Sequence, residues 1–372
     1  MSRAAGEGEH ERLLDHLCRR IAVGGPLTVA DFMAEALGHP RHGYYRRRDP
    51  FGAAGDFVTA PEISQMFGEL VGLWAAVVWQ SAGAPDPLHL VELGPGRGTL
   101  AADALRATAR VPGFADALRL HLVETSPALR QTQQAALAAA LPRHPPCWHD
   151  GIDSLPDGRL LVIANEFFDA LPIRQFQRSA AGWHERLVDA AADGGLRFVL
   201  GPPTPFAPLV PLALRAAPAG AVVEVSPAAI GVTAALARRV AESGVALLVI
   251  DYGHAASGAG DTLQAVRRHA FADVLAEPGQ ADLTAHVDFA ALGQAAAEAG
   301  CVVHGPVGQG VFLEALGIAA RADALSRADG GRHAAAVRTA RDRLTGADAM
   351  GTLFKVMAVT PPGLPKPPGF DP

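Results

Sequence analysis

A glycine-rich turn follows an apolar segment near the end of the first quarter of the chain. Glu92 closes this segment, and Gly94, Gly96 and Gly98 follow at alternate positions. Glycines adopt turn conformations that a side chain would forbid, and they let the backbone approach a ligand closely. A strand, a glycine turn and a helix in this order present a nucleoside-bearing cofactor at the carboxyl end of the strand. The dinucleotide pattern would require glycine at position 99, where the chain has Thr99, so the spacing disfavours a nicotinamide cofactor.

Acidic residues end or follow two later strand candidates. Glu124 ends the second strand, and its carboxylate could accept both hydroxyl groups of a ribose. The alternative is that Glu124 only precedes the helix that begins at Pro127. Asp150 follows the third strand position, which would bring it near the amino group of an adenine. Because Asp150 precedes a glycine, a plain turn explains it equally well.

A fourth apolar strand runs directly into a polar turn. Asn165 and Glu166 come first, and Asp169 follows three residues later. In an open parallel sheet this end of a strand faces the crevice where ligands bind. Carboxylates are costly to bury there unless something pairs with them. We therefore expect Glu166 and Asp169 to grip a cationic or hydrogen-bonding acceptor, with Asn165 beside the cofactor. A capped turn without function is the alternative.

Two further residues are candidates for the same site. His286 lies in a polar segment and could accept a proton or contact the substrate, although a structural loop histidine fits the sequence equally well. Asp251 ends the next apolar strand, where it could line the pocket for the acceptor. The predicted catalytic residues are therefore Glu166, Asp169 and His286.

Alternating strands and helices position these residues. Strands are predicted at 88–93, 118–124, 160–164 and 245–251, and helices lie between them, near 99–109, 127–140 and 227–242. This alternation implies parallel strands joined by right-handed crossovers. The chain is therefore predicted to be an α/β protein with a Rossmann-like, mostly parallel sheet.

The chain divides into three predicted parts. Residues 1–80 form an N-terminal helical cap and lid region, residues 81–360 form the main domain, and residues 361–372 form a disordered, proline-rich tail. The main domain has two predicted insertions. One, at about 183–211, contains a β-hairpin, and the other, at about 253–286, is irregular.

Composition excludes several classes of protein. Of the 372 residues 49% are hydrophobic and 19% are charged, which excludes global disorder. The formal net charge of −6 argues against a general nucleic-acid binder. The three cysteines form no C-x-x-C pair, so neither a disulfide framework nor a metal site is predicted.

The compartment is predicted from the same sequence. No apolar run is long enough to span a membrane. The acidic N-terminus has the features of neither a signal peptide nor a transit peptide. The high Ala, Gly and Arg content suggests a GC-rich bacterial genome. We therefore predict a bacterial cytoplasmic protein.

The motifs together resemble those of known methyltransferases. An acid two residues before a G-x-G-x-G turn is similar to motif I of the class I S-adenosylmethionine (SAM) methyltransferases. Six segments appear in one order in the MidA family, and the resemblance extends from about Leu13 to Val359. These segments are Gly55–Ser64, Glu92–Gly98, Asn165–Pro172, Gly260–Ala265, Ala281–Phe289 and Met350–Val356.

The resemblance implies a fold, a cofactor and an activity. It implies a class I fold with a seven-stranded sheet and SAM as the cofactor. We expect a loop containing Gly55 and Asp56 to close over SAM, and a tight turn before a helix is the alternative. Mitochondrial members of the family assist the assembly of respiratory complex I and methylate an arginine on a subunit of its peripheral arm. The expected activity is therefore methylation of a protein arginine. A small-molecule acceptor and a non-catalytic assembly factor are the alternatives.

Overall fold

A computed structural model describes residues 12–47, 58–140, 143–204 and 209–371 of the chain. The α-helices of these ranges are α1 Leu13–Gly24, α2 Val29–Gly38, α3 Tyr44–Arg47, α4 Ala60–Ile63, α5 Gln65–Ser81, α6 Thr99–Thr108, α7 Phe114–Ala117, α8 Pro127–Ala140, α9 Pro227–Ser243, α10 Phe289–Glu298, α11 Gln309–Ala315, α12 Ile318–Arg327, α13 Ala334–Thr345 and α14 Met350–Leu353. The strands are β1 Leu27–Thr28, β2 Leu88–Leu93, β3 Leu118–Val123, β4 Cys147–His149, β5 Leu160–Asn165, β6 Arg174–Ser179, β7 Gly182–Ala190, β8 Leu196–Thr204, β9 Val222–Val225, β10 Ala246–His254, β11 Gln264–Arg267, β12 Ala270–Ala272, β13 Asp282–Thr284, β14 Val287–Asp288, β15 Val302–Gly308 and β16 Phe354–Thr360.

The chain forms two compact units, each assembled from three separate stretches. The first unit consists of the described parts of Met1–Arg48, Pro172–Val225 and Ala259–Leu283, and the second of those of Asp49–Leu171, Ser226–Gly258 and Thr284–Pro372. The predicted boundary at residue 80 does not coincide with this division. Helix α5 packs closely against α6, which places residues 65–81 in the second unit.

A mostly parallel sheet forms the centre of the second unit. Its strand order is β15-β16-β10-β5-β2-β3-β4, and the short β14 pairs in addition with β10. The strands from β10 to β4 are parallel, and β16 alone runs antiparallel to them, because β15 is antiparallel to β16 and therefore points the same way as β10. The predicted Rossmann-like fold is therefore confirmed. Helices α11 to α14, between β15 and β16, were not predicted.

Both faces of this sheet are covered by apolar side chains. Leu161 and Ile163 of β5 belong to a cluster with α5 and α6, while Leu160 and Val162 belong to a cluster with α9 and α10. Every residue of β5 is buried. A strand that is covered on both faces consists of consecutive apolar residues. This pattern explains why β5 could be predicted from the sequence.

The first unit contains the predicted hairpin. Strands β7 and β8 pair antiparallel, and β7 also pairs with β1 and β6. The region 253–286, expected to be irregular, contains β11 and β12 as a second hairpin. The carboxylate of Glu224 in β9 accepts hydrogen bonds from the backbone N–H groups of Thr262 and Leu263, which anchors the loop before β11.

The C-terminal tail is ordered, contrary to the prediction. Phe370 is buried and its ring centroid lies 5.5 Å from that of Phe312. The indole N–H of Trp74 donates to the carbonyl of Pro368 at 3.1 Å. A proline-rich composition does not prevent order where an aromatic side chain reaches the core. Within the described residues, no helix combines the length and apolar character that crossing a membrane requires.

A buried carboxylate links three helices of the second unit. Glu69 of α5 accepts a hydrogen bond from Arg106 of α6 at 2.8 Å and two from Arg321 of α12, at 2.6 and 2.8 Å. Only 4% of the surface of Glu69 is exposed. The guanidinium groups offset the cost of burying its charge. Removing that charge takes this partner from Arg321, whereas Arg106 keeps its ion pair with Asp103 at 2.5 Å.

We expect Glu69→Gln to lower the free energy of unfolding by roughly 1–3 kcal/mol, because it removes charge-assisted hydrogen bonds from two guanidinium groups that stay partly accessible to water. Urea denaturation measures this. Glu314→Gln is the matched control, since Glu314 pairs with Arg341 at 2.7 Å on the surface. It should cost less than about 1 kcal/mol. Equal losses in the two variants would contradict the assigned role of Glu69.

Three histidines form a hydrogen-bonded row across β2, β3 and β4. Nδ1 of His89 lies 3.0 Å from Nε2 of His121, and Nδ1 of His121 lies 2.9 Å from Nε2 of His149. Burial, aided by the two neighbouring rings, lowers the pKa of His121 from 6.5 to about 4. Below pH 6.5 the unfolded chain therefore binds more protons at this position than the folded protein, and acid destabilises the fold.

We expect His121→Asn to reduce the stability lost on acidification. In the wild-type protein, the lowered pKa of His121 should reduce the free energy of unfolding by roughly 2–3 kcal/mol in total as the pH falls from about 6.5 to about 4. The variant should not show this loss. Urea denaturation at pH 7 and pH 4.5 measures the difference between wild type and variant. Buried carboxyl groups with raised pKa values make the fold more stable as the pH falls. Wild type and His121→Asn contain the same carboxyl groups, so the comparison between them cancels this effect. His144→Asn, at a partly exposed histidine, is the control. An undiminished pH dependence in His121→Asn would contradict the argument.

Candidate functional site

The glycine turn has the backbone conformation that its composition predicts. Gly94, Gly96 and Gly98 have φ values of 60°, 53° and 82°, a region that side chains disfavour. The turn leads from the end of β2 into α6, which begins at Thr99. A Cβ atom at Gly94 would lie 3.1 Å from Cδ2 of Phe167. The turn therefore touches the polar turn that follows β5.

Glu92 is a buried acid at the base of the glycine turn. It is 5% exposed, and its Oε2 has no hydrogen-bond partner among the described residues. Burial raises the pKa of Glu92 to about 8. An unpaired buried carboxyl group is costly unless a donor reaches it. Its position suits the hydroxyl or ammonium donors of a nucleoside cofactor such as SAM.

Glu124 follows β3 and is also buried. Its Oε1 accepts the backbone N–H of Ser126 at 2.7 Å, and its Oε2 accepts the amide of Gln133 at 3.3 Å. Burial raises the pKa of Glu124, and these hydrogen bonds oppose the shift. The carboxylate thus holds the segment that precedes α8, as the structural alternative anticipated. The predicted contact with a ribose stays a prediction.

Gln133 joins two parts of the site and was not predicted. Its side chain is fully buried, and its amide group also donates to the carbonyl of Gly96 at 2.7 Å. Its carbonyl accepts the indole N–H of Trp148 at 2.8 Å. A buried glutamine on the apolar face of a helix is the signal that could have identified it. Gln133 fixes the distance between the glycine turn and Glu124.

Asp150 lies at the same edge of the sheet but is exposed. Its carboxylate pairs with Arg130 at 2.6 Å, and 88% of its side chain is accessible to solvent. Arg130 also donates to the carbonyl of Glu124 at 2.8 Å. The predicted adenine contact of Asp150 stays a prediction. Gly55 and Asp56, the predicted closing loop, lie outside the described residues.

The polar turn after β5, residues 166–169, is called the acidic turn below. Glu166 has a φ of +49°, a rare conformation for a residue with a side chain. Its Oε1 accepts the backbone N–H of Ala60 at 2.8 Å and the amide of Asn165 at 3.2 Å. Burial, strengthened by the nearby Asp169, raises the pKa of Glu166 to about 7. Oδ1 of Asn165 is buried without a partner among the described residues.

Asp169 is the second carboxyl group of the acidic turn. It is 7% exposed, its Oδ1 has no partner within the described ranges, and Tyr252 donates a hydrogen bond to its carboxyl group. Burial raises the pKa of Asp169 to about 6. Two carboxyl groups thus occupy one turn, and one oxygen of Asp169 has no partner among the described residues. That Glu166 and Asp169 bind the acceptor stays a prediction.

Asp251 does not line the pocket as a free side chain, which corrects the prediction. It is fully buried inside β10, which continues to His254, and it accepts backbone N–H groups on both carboxylate oxygens. Burial and the nearby Asp169 and Glu166 raise the pKa of Asp251, while the backbone donors favour its ionised form.

His286 lies close to this cluster. Its ring centroid is 5.6 Å from that of Tyr252, in an edge-to-face arrangement. Burial, together with the charges of His254 and Lys355, lowers the pKa of His286. The imidazole is therefore neutral at physiological pH and can accept a proton. The catalytic role of His286 stays a prediction.

The arrangement separates two kinds of chemistry. Glu92, the glycine turn and Glu124 offer acceptors and open backbone for a nucleoside, whereas Glu166 and Asp169 offer carboxyl groups for a second, cationic ligand. The contact between Gly94 and Phe167 places these two sets next to each other. A group-transfer reaction between two bound molecules suits this arrangement.

Curated relatives cover nearly the whole chain. A protein of Danio rerio named protein arginine methyltransferase NDUFAF7, mitochondrial, is 38% identical over 371 residues, which are 94% of this chain and 87% of the relative. The protein of Homo sapiens with the same name is 38% identical over 340 residues, covering 83% and 74% of the two chains.

These names contradict the predicted bacterial cytoplasmic location. The relatives described are named as mitochondrial proteins of animals, as is that of Drosophila melanogaster. The prediction was wrong because it relied on residue composition, which reflects the base composition of a genome and not a compartment.

A solved structure and a family model agree on the chemistry. A crystal structure from Burkholderia thailandensis, bound to S-adenosylhomocysteine, matches with a TM-score of 0.83 and 29% identity, covering 97% of this chain and 92% of that chain. Residues 70–307 match the family model described as "Putative S-adenosyl-L-methionine-dependent methyltransferase". With the glycine turn and its buried acids, these matches identify SAM as the cofactor. The chain belongs to this family of SAM-dependent methyltransferases.

Proposed function

We propose that the protein transfers the methyl group of SAM to an arginine side chain of another protein, a subunit of the peripheral arm of respiratory complex I. The curated relatives carry the name protein arginine methyltransferase, which supports a protein arginine as the acceptor. The resemblance to the MidA family supports complex I as its source.

The observation that carries this proposal is the acidic turn. Asp169 is buried and Glu166 is partly buried, and their two carboxyl groups lie in one turn next to the glycine turn that suits the cofactor. A guanidinium group is planar, permanently charged and able to donate several hydrogen bonds in one plane. It matches two adjacent carboxylates better than a neutral acceptor does, because a neutral molecule would leave their charge uncompensated.

The donor side of the site would hold SAM through groups already described. We assign the contacts to Glu92, the glycine turn, Glu124, Asp150 and Asn165, with Gly55 and Asp56 in the loop that closes over the cofactor. When bound, SAM supplies a methyl group on a positively charged sulfur, and the carbon–sulfur bond breaks as the group leaves.

The acceptor side would hold and deprotonate the guanidinium. Glu166, with a pKa of about 7, is partly protonated near neutrality, and an adjacent cation favours its ionised form. The carboxylates draw the positive charge toward the nitrogens they bind, which leaves electron density on the nitrogen that forms the new bond to carbon. That nitrogen loses one proton, and His286 or a carboxylate of the acidic turn accepts it.

Cofactor binding tests the donor side. We expect Glu124→Ala to weaken SAM binding at least about tenfold, because one good hydrogen bond to a charged group corresponds to that factor or more. Isothermal titration calorimetry measures the dissociation constant. Glu314→Gln, a surface variant, should bind SAM as wild type does. Unchanged affinity in Glu124→Ala would remove Glu124 from the cofactor site.

Methyl transfer tests the acceptor side. We expect Glu166→Gln to lower the rate of methylation at least about a hundredfold, because correct placement of the acceptor supplies several kcal/mol of the barrier. SAM affinity should stay within about twofold of wild type, since Glu166 would contact the acceptor and not the cofactor. The assay incubates the protein with tritiated SAM and an extract of cells that lack its gene, followed by identification of methylarginine by mass spectrometry.

A surface variant and the gene-deletion strain are the controls for the methylation assay. Glu314→Gln should methylate as wild type does, and the gene-deletion strain should lack a methylarginine on a complex I subunit that wild-type cells contain. Label confined to small molecules would contradict the protein-arginine proposal. Full activity of Glu166→Gln would remove Glu166 from the mechanism.

A further inference from the structure

One carboxylate, that of Asp251, binds the backbone of the acidic turn through hydrogen bonds. Oδ2 of Asp251 accepts the N–H groups of Phe167, Phe168 and Asp169, at 3.1, 2.9 and 3.2 Å. Its Oδ1 accepts the N–H of Tyr252 at 2.9 Å. Four backbone donors thus converge on a side chain that is fully buried.

These hydrogen bonds hold the residues next to the most strained backbone position of the turn. Glu166 has a positive φ, and such a conformation persists only when surrounding contacts impose it. The three N–H groups on Oδ2 belong to the three residues that follow Glu166. They point the same way because the turn is wound around the carboxylate, as backbone amides wind around a bound anion.

The position of Asp251 in the sheet explains why it can do this. Its neighbour Ile250 pairs with Asn165 across β10 and β5, and the carbonyl of Ile250 accepts the N–H of Glu166 at 2.9 Å. Asp251 is therefore the first residue of β10 beyond the paired end of β5. Its side chain therefore lies beside residues 167–169, which follow the end of β5.

We infer that Asp251 is a positioning residue for methyl transfer: its carboxylate holds residues 167–169 so that the carboxyl groups of Glu166 and Asp169 stay close enough to grip one guanidinium. This inference rests on the proposed function. Asp251 contacts neither cofactor nor acceptor and acts through the backbone of the turn. Displacement of a substrate-holding group by about 1 Å can cost a hundredfold in rate, so such a support has a measurable effect.

Asp251→Asn tests the inference with little change of shape. The amide oxygen can replace Oδ2, but it carries no charge, and the NH₂ group then faces the N–H of Tyr252. Hydrogen exchange of the segment 166–170, followed by mass spectrometry without any acceptor, should become at least about tenfold faster. The half-saturating concentration of the gene-deletion extract in the tritiated-SAM assay should rise at least about tenfold, while the dissociation constant of SAM stays within about twofold.

A second variant and a control separate positioning from general destabilisation. Asp251→Glu keeps the charge but lengthens the side chain, so its carboxylate cannot meet all four N–H groups, and it should show the same pattern even where Asp251→Asn folds poorly. Glu69→Gln weakens the fold at a distant helix contact and should leave both exchange of the segment 166–170 and the half-saturating extract concentration unchanged under native conditions.

The contrary outcomes differ from those of the proposed function. Unchanged exchange in both Asp251 variants would overturn the inference, and so would faster exchange with unchanged acceptor kinetics. Absence of methylarginine with the wild-type protein would instead refute the proposed function, because the exchange measurement requires no acceptor.

Discussion

Parallel hydrogen bonding of β5 with β2 on one side and β10 on the other fixes where the acids of this protein lie. The pairing of Leu93 with Ala164 and of Ile250 with Asn165 makes β2 and β5 end at nearly the same level, while β10 continues to His254. The glycine turn and the acidic turn therefore follow neighbouring strand ends, and Asp251 lies beside them at the first position of β10 beyond its pairing with β5. A shift of one residue in either pairing would turn the acids toward opposite faces of the sheet.

Bringing these acids together in a buried place costs free energy, and the hydrogen bonds that offset this cost are shared unequally among them. The carboxyl group of Asp251 is surrounded by backbone N–H groups, and that of Glu124 accepts one N–H and one amide. Glu92 and Asp169 each retain one buried oxygen without a partner among the described residues. Asp251 and Glu124 hold turns in place, and Glu92 and Asp169 each keep an unpaired oxygen that a ligand can use. In the proposed function Glu124 also serves the cofactor, because each of its oxygens can accept a second hydrogen bond. This division follows from hydrogen bonding alone, because all four groups are almost equally buried.

Much of this organisation could be predicted from the sequence. Strand β5 and the first part of β10 are continuous apolar runs, and β2 and β3 are mainly apolar with isolated polar residues. The residue types that follow β2 and β5 indicated the glycine turn and the acidic turn. The role of Asp251 could not be predicted, because four backbone N–H groups converge on it only after two distant strands pair. Gln133 was missed for the same reason. The order of the tail depends on the ring of Phe370, whose partner Phe312 lies far away in the sequence.

The contact between Gly94 and Phe167 joins the turn for the methyl donor to the turn for the acceptor. At 3.1 Å there is no room for a Cβ atom at position 94 unless the aromatic ring moves, and the ring belongs to the residue after Glu166. Two constraints therefore disfavour a side chain at position 94, the φ of 60° and the ring of Phe167, and a larger side chain at position 167 would press against the same backbone. Redesign of the acceptor pocket through Phe167 would have to begin from the volume that Gly94 leaves free, so the two halves of the site cannot be engineered independently.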